Sequence, residues 1–425
     1  MDLTIKQPHL FDPANGVDEI GDLHIKDGRV VTNSSASSEK EIDARGLYLL
    51  PGLVDIHSHF REPGMEDAET LETGSMAALK GGYTAVAVMP NTNPPIDNEG
   101  VAKFIKEKSE EIGLCRVFPV GTITKGRKGK ELSEMIHLYE AGCMGFSDDG
   151  NCVEDSSVMR NALEYSQLFD VPIIDHPEDT TLSRNGQMNE GVVSTELGFK
   201  GIPDVSESSM VARDMLLSRF TKGRLHLAHI STEDSVHYLK DWKTDRITAE
   251  VTPHHLLLTE DEVKTFDTNT KMKPPLRKKS DLEDLQKALK EGIIDAVATD
   301  HAPHPDYMKE QEYTIAPFGV IGLETAFSVL YTNLVISGKL SLAQLVKSMS
   351  FQPARILNLP FGEVRDGGIA DFTLIDLDGE WKVDPSNFAS KSKNSPFIGW
   401  ELKGIVTYTI VNGNLTFCEG EFLKS

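Results

Sequence analysis

Eight short runs rich in Val, Ile, Ala and Gly recur through the middle of this chain, at residues 52–57, 84–89, 116–121, 142–146, 171–176, 224–229, 247–251 and 294–299. Each is too short for a core helix and too continuously apolar to keep one face in water, which is how a strand buried on both faces reads. Segments of helical periodicity lie between most of them, for example 101–111, 156–168, 208–219 and 281–291. Parallel strands need long crossovers, usually helices. Eight such units predict an α/β chain of the (β/α)8 TIM-barrel type, whose catalytic groups sit at the C-terminal ends of the strands. The alternation is the only repeat, and no tract is of low complexity.

The two ends have a different pattern. Residues 3–6, 22–26 and 29–31, with an Asp27-Gly28 turn, read as short strands, and so do 371–376, 404–411 and 415–418, with an Asn412-Gly413 turn. A polar stretch at 33–40 separates the first group from the central runs. The ends are expected to pair into a small β-sandwich domain of residues 1–50 plus 365–425, leaving 51–364 as the barrel.

Charge narrows the partners. The 66 acidic against 43 basic residues give a formal net charge of −23, and so acidic a surface repels phosphate backbones and anionic headgroups. Neither nucleic acid nor membrane is an expected partner. No apolar run approaches the roughly 18 residues of a membrane span, and residues 1–6 lack the basic and then apolar segments of a signal peptide, so a cytoplasmic location is expected. Cys115, Cys143, Cys152 and Cys418 show neither CxxC spacing nor the density of a disulfide scaffold. They read as small core residues, not as metal ligands.

The barrel expectation can be tested within the sequence, because its strand ends should carry chemically useful groups. The first run ends in Asp55-Ile56-His57-Ser58-His59-Phe60-Arg61, and residues i and i+2 of an extended segment point the same way, so His57 and His59 can grip one metal. The fifth run delivers His176, the sixth His229, and the eighth Asp300, with His301 and His304 just beyond it. Imidazole and carboxylate donors of this kind suit Zn²⁺ or a similar divalent ion. The fourth ends in Ser147-Asp148-Asp149-Gly150, where one carboxylate can bridge two metals, although the pair alone is also compatible with an acidic turn. Four histidines and two carboxylates exceed the needs of one tetrahedral ion and point to a binuclear site, with ions roughly 3.5 to 4 Å apart activating a shared water. Asp300 is then the candidate to move that water's proton.

Three segments carry a resemblance: His57-Ser58-His59-Phe60-Arg61-Glu62-Pro63-Gly64, Met89-Pro90-Asn91-Thr92 and Thr299-Asp300-His301-Ala302-Pro303-His304. Together they resemble the dihydroorotases of the amidohydrolase superfamily, specifically type I. The likeness extends to residues 251–256, 316–319 and 367–371. It implies that His57, His59 and Asp300 hold a buried zinc, that His176 and His229 hold a second, and that an aspartate of the 148–149 pair bridges them. Spacing favours Asp149 as the bridge. Many superfamily members use a carboxylated lysine there, and no lysine occupies this position.

The implied substrate pair is N-carbamoyl-aspartate and dihydroorotate, a ring bearing a carboxylate. That group calls for a cation with planar donors, and Arg61 stands two residues beyond a ligand. Asn91 can donate and accept beside it. The resemblance gives both residues this role, adds His304, and implies backbone contacts from Pro317, Phe318 and Gly319. Asp300 would pass a proton to the departing ring nitrogen, and the reverse reaction would serve pyrimidine synthesis.

Two positions depart from the family pattern. Lys273 precedes Pro274-Pro275-Leu276-Arg277 where many relatives have asparagine, and Pro177 stands after His176 where cysteine is common. The segment between Asp300 and Pro317 is polar and suits either a moving loop over the site or an exposed connection. The competing readings are a dihydropyrimidinase, hydantoinase or allantoinase, and a non-catalytic scaffold for aspartate transcarbamoylase. Arg61 and the missing lysine count against the first group, and the complete ligand set against the second. Association with a second copy or with a transcarbamoylase rests on family analogy alone.

Overall fold

The computed structural model describes residues 2–31, 40–360 and 363–424. The polar stretch read at 33–40 lies outside the described residues except for Lys40, which opens a strand.

Strands Leu53–Ser58, Tyr83–Val88 and Arg116–Pro119 pair in parallel in that order. Ile173–Asp175, Leu225–Leu227, Ile247–Val251 and Ala296–Val297 form a second parallel series. Phe146 joins the two series, bridging Gly121 on one side and Ile173 on the other. The last join is between Ser58 and His301, where His59 N donates to His301 O at 2.8 Å. All eight runs therefore stand in chain order around one closed ring, a TIM-type barrel. The fourth differs from expectation in being a bridge rather than a regular strand. A left-handed Gly142 (φ 104°) precedes it and the turn at Gly150 (φ 78°) ends it, so only residues 144–147 hydrogen-bond to the neighbouring strand ends.

Helices Glu99–Ile112, Ser156–Ser166, Val205–Thr221 and Lys279–Glu291 fall between strands. The first two begin where Asn98 and Asp155 accept from the free N–H groups of the opening turn. Val54 and Ile56, Ala85 and Ala87, and Ala296 and Ala298 share one core cluster with Ala354, Ile356 and Leu357. Their period of two is that of one strand face.

The terminal segments build two further sheets. A seven-stranded sheet runs Glu421–Phe422, Asn414–Cys418, Glu401–Val411, Phe372–Lys382, Tyr48–Pro51, His9–Asp12 and Val17–Ile20. A four-stranded one runs Arg29–Val31, Leu23–Lys26, Leu3–Lys6 and Lys40–Asp43. Leu3, Ile5, Ile25, Leu49, Phe372, Leu374 and Ile410 are buried in a common core. Only Gly52 separates Tyr48–Pro51 from the first barrel strand, and a Cβ there would fall 2.3 Å from Thr84 Oγ1; glycine is what lets the two layers approach. Residues 390–394 leave the sheets and run along the barrel rim, where Ser390 Oγ and Lys391 N donate to Glu69 and Asn394 Nδ2 donates to Ala302 O and Gly319 O. Among the described residues no helix is long and apolar enough to cross a membrane, and all four cysteines are free.

Candidate active site

Five strand ends deliver side chains to one buried cluster. Asp149 stands at its centre: its Oδ1 lies 3.2 Å from His57 Nε2, 3.6 Å from His176 Nδ1 and 3.8 Å from His229 Nε2, and its Oδ2 is 3.5 Å from His59 Nε2. Asp300 Oδ1 lies 3.0 Å from His59 Nε2 and 3.6 Å from His57 Nε2. Two overlapping sets, His57 with His59 and Asp300 and His57 with Asp149 and His229, have their ligand atoms within 4.8 Å of one another. His57 Nε2 and Asp149 Oδ1 are buried without a hydrogen-bond partner. Buried polar atoms are rarely left so, and an imidazole nitrogen facing a carboxylate oxygen across a gap is the donor chemistry of a divalent metal. The residues present fit the ions that the sequence implies.

Backbone conformation aims these groups. Arg61, His229 and Asp300 adopt φ of 61°, 34° and 46°, the left-handed region that non-glycine residues seldom occupy and that is held by surrounding structure at functional sites. Asp55, two residues before His57 in the same strand, fixes the seam. Its Oδ1 accepts from Thr299 N at 2.9 Å, and its Oδ2 accepts from Thr299 Oγ1 at 2.6 Å and from Ser58 Oγ. Burial raises the Asp55 carboxyl to about 6.

Charge is strongly biased inside the cluster. Burial alone would lower the His57 pKa, yet the carboxylates of Asp149 and Glu250 override it and hold it well above its usual value. For Asp300 burial works upward, and His59 and His57 overcome it, keeping the carboxylate well below its usual range. His229 is pushed down to about 3 by burial and by the neighbouring His176 and His57. These are the opposed environments that pull titratable groups apart at catalytic sites.

Over the cluster opens a cavity of about 310 Å³ lined by His59, Arg61, Asn91, Asp149, His176, His229, Lys273, Asp300, His304, Phe318 and Gly319, among others. Larger cavities of about 590 and 700 Å³ lie elsewhere and contain none of these groups. Arg61 Nε donates to Pro303 O at 3.2 Å, and among the described residues its two terminal nitrogens donate to no protein acceptor. Asn91 Oδ1 faces His59 Nδ1 at 2.8 Å, which leaves its amide N–H₂ for the cavity.

Known proteins share this chain's sequence over most of its length. The family model described as Dihydro-orotase-like matches residues 46–235. A dihydroorotase of Endomicrobium trichonymphae is 46% identical over 420 residues, covering 98% of this chain and 100% of that protein. One of Thermoanaerobacter sp. (strain X514) is 49% identical over 387 residues, covering 91% and 90%. The chain belongs to the dihydroorotase family.

Among solved structures, the L-hydantoinase (dihydropyrimidinase) of Arthrobacter aurescens superposes with a TM-score of 0.89 at 26% identity, covering 99% of this chain and 97% of that one. The dihydroorotase-family chain is thus an enzyme of the cyclic amidohydrolase class on a TIM-barrel frame.

Within this family member the neighbouring aspartates part company. Asp148 turns away from the cluster: its Oδ1 accepts from Ile123 N and Thr124 N at 2.9 and 3.0 Å, and its Oδ2 from Thr124 Oγ1. His301 is likewise withdrawn, with Nε2 3.3 Å from Glu69 Oε2 and Nδ1 accepting from Gly322 N. Lys273 reaches the cavity wall and pairs with Glu178 Oε1 at 2.8 Å, while the other Glu178 oxygen lies 3.2 Å from His176 Nε2. His304 Nε2 meets Phe318 O at 2.8 Å, and burial pushes its pKa down to about 3, so the ring is neutral. A Cβ on Gly319 (φ 129°) would come within 3.0 Å of that nitrogen. Pro317 does not line the cavity; its carbonyl accepts from Lys309 Nζ.

Sequence reasoning missed Glu250. It sits in the seventh strand with Oε1 2.6 Å from His57 Nδ1 and Oε2 3.0 Å from His226 Nε2, so His226 completes a chain to the cluster. The signal was there in a single carboxylate inside the apolar run Ile-Thr-Ala-Glu-Val, which has to find a partner when buried.

Proposed function

We propose that this chain catalyses the reversible, zinc-dependent closure of N-carbamoyl-L-aspartate to L-dihydroorotate and water, in the cytoplasmic synthesis of UMP. The observation that carries this reading is Arg61, a buried cation with two free terminal nitrogens in the same cavity as the histidine and carboxylate cluster. A neutral cyclic amide has no use for it. A ring carboxylate accepts from such a fork in two parallel bonds.

His57, His59 and Asp300 would hold one ion, His176 and His229 a second, with Asp149 shared between them. When bound, the ions supply Lewis acidity toward the amide carbonyl and toward water. The chain's own groups do the rest. Arg61 and the Asn91 amide orient the ring by its carboxylate, and neutral His304, with Nε2 turned to Phe318 O, offers Nδ1 as an acceptor to a ring N–H. In ring opening a C–O bond forms and the C–N bond breaks. The water's proton passes to Asp300 Oδ2, whose partner oxygen faces His59, and from there to the departing nitrogen. Closure runs the same steps backwards. Residues 51–364 supply every group named here, and we read the terminal segments 1–50 and 365–425 as a separate supporting domain.

The test is a zinc-supplemented ring-opening assay with dihydroorotate and dihydrouracil side by side, on the wild type and on Arg61→Ala. Turnover of dihydroorotate alone, abolished by the substitution, is expected. A preference for dihydrouracil would replace the substrate with that of a dihydropyrimidinase, and inactivity toward both with two ions bound would favour a scaffold.

A further inference from the structure

Two lysines that the proposed mechanism leaves unused are buried beside the cavity. Lys309 Nζ spends its three donors on backbone carbonyls, those of Gly319 at 3.0 Å, Pro317 at 3.1 Å and Lys271 at 3.5 Å. Lys271 Nζ donates to Tyr313 O at 2.6 Å and lies 4.7 Å from the centre of the Phe318 ring. Lys271 O in turn accepts from Gly319 N at 3.0 Å. Neither ammonium is paired with a carboxylate among the described residues. Burying a lone charge is costly, so such groups are kept only where their bonds are needed.

What they hold is the cavity wall. Residues 317–319 approach His304 from one side, and Phe318 O fixes the His304 ring. Pro317 has no N–H, Gly319 N is occupied by Lys271, and the Phe318 N–H donates to no protein acceptor among the described residues. One free backbone donor thus belongs to a residue that lines the cavity, in a segment whose two flanking carbonyls are pinned by the Lys309 ammonium. Tyr313, stacked on Phe199 at 5.2 Å, anchors the upstream end.

We propose that Lys271 and Lys309 are positioning residues for substrate binding, holding residues 317–319 so that the Phe318 N–H and the His304 ring meet the substrate in one fixed arrangement. The inference rests on the dihydroorotate reading for its substrate, but not for the pinning itself. Methionine in place of either lysine keeps the buried aliphatic volume and removes the donors.

The experiment uses Lys309→Met and Lys271→Met in the full-length zinc-loaded enzyme. It measures kcat and KM for dihydroorotate, bound metal, and backbone hydrogen exchange of residues 313–321. Loss of a charge-assisted bond predicts a KM raised about tenfold, with kcat within about threefold, unchanged metal content and faster exchange confined to that segment. An unchanged KM with unchanged exchange overturns the proposal, and so does a loss of kcat at constant KM. Should the wild type fail to open dihydroorotate, the functional reading has failed, and the exchange data alone decide the pinning. If Lys309→Met does not fold, Lys309→Gln, which keeps a shorter donor, is subjected to the same measurements.

Discussion

Glu250 stands between two histidines, 2.6 Å from His57 Nδ1 and 3.0 Å from His226 Nε2, and so determines which nitrogen His57 turns toward the cluster. A carboxylate behind a ligand imidazole fixes its tautomer and raises its basicity. Glu250→Gln should therefore weaken metal retention by about 10- to 100-fold, measured as ions per chain after dialysis against a graded chelator. Wild-type retention in the variant would reduce Glu250 to a packing role.

Arg61→Lys keeps the positive charge and loses the planar fork. We expect KM for dihydroorotate to rise about tenfold or more, with Arg61→Ala worse still, because a point charge cannot supply two parallel bonds. Steady-state kinetics of the two variants side by side decide the matter; equal KM values for lysine and arginine would mean that charge alone is read.

Chelator treatment should abolish turnover and lower the thermal midpoint, and Zn²⁺ should restore both. At a free ion concentration a thousand times Kd the folded state gains about 4 kcal/mol per site. In Asp149→Asn the restoration should fail at the same ion concentration, since the substitution removes the carboxylate charge at the centre of the cluster.

Asp55 gathers four donors at the barrel seam, Thr299 N, Thr299 Oγ1, Ser58 Oγ and, at 3.5 Å, His57 N. Asp55→Ala leaves Thr299 and Ser58 unsatisfied in the interior and should cost about 3 kcal/mol, read as a shifted urea midpoint. A loss below about 0.5 kcal/mol, typical of surface substitutions, would show that the seam does not depend on it.

Stability should also depend on pH through the two buried lysines. Burial pushes Lys309 down to about 7, with the Lys271 charge adding to the shift and Asp267 opposing it, and burial pushes Lys271 down to about 8, against an ordinary 10.5. Between pH 7 and 9 these two lysines bind more protons in the unfolded chain than in the folded one, so their own contribution to unfolding free energy rises with pH across that window, while His176, which burial lowers but Asp149 and Glu178 raise to about 9, contributes in the opposite sense. Buried thiols such as Cys115, pushed up to about 12, act in the opposite sense only above the ordinary value of 9. The slope of the urea midpoint against pH from 7 to 9 should be less positive in Lys309→Met than in the wild type; parallel slopes would contradict the assignment.

Much of this was legible in the sequence because burial and strand period leave marks in residue order. The eight apolar runs fell where the ring has its eight members, and the groups at their ends converge as barrel geometry requires. What escaped notice depends on contacts made across the fold. Spacing favours Asp149 over Asp148, but the physical reason lies outside the segment, in Thr124 on the neighbouring strand end, which draws Asp148 away. His301 carries the look of a ligand, yet Glu69 draws it away. Lys309 sits in a polar stretch that reads as a mobile loop or an exposed connection, and only its three carbonyl partners reveal a fixed post. Strands His9–Asp12 and Tyr48–Pro51 also lay outside the segments read as strands.

The join between Ser58 and His301 has a consequence for how the protein matures. His59 and Asp300 are 241 positions apart, so the first and last members of the ring must both be made and docked before this pair can meet. A contact of such long range forms late and slowly. A nascent chain halted before the eighth strand would lack Asp300 altogether, and metal capture by the full ligand set would report completion of the ring rather than assist its first steps.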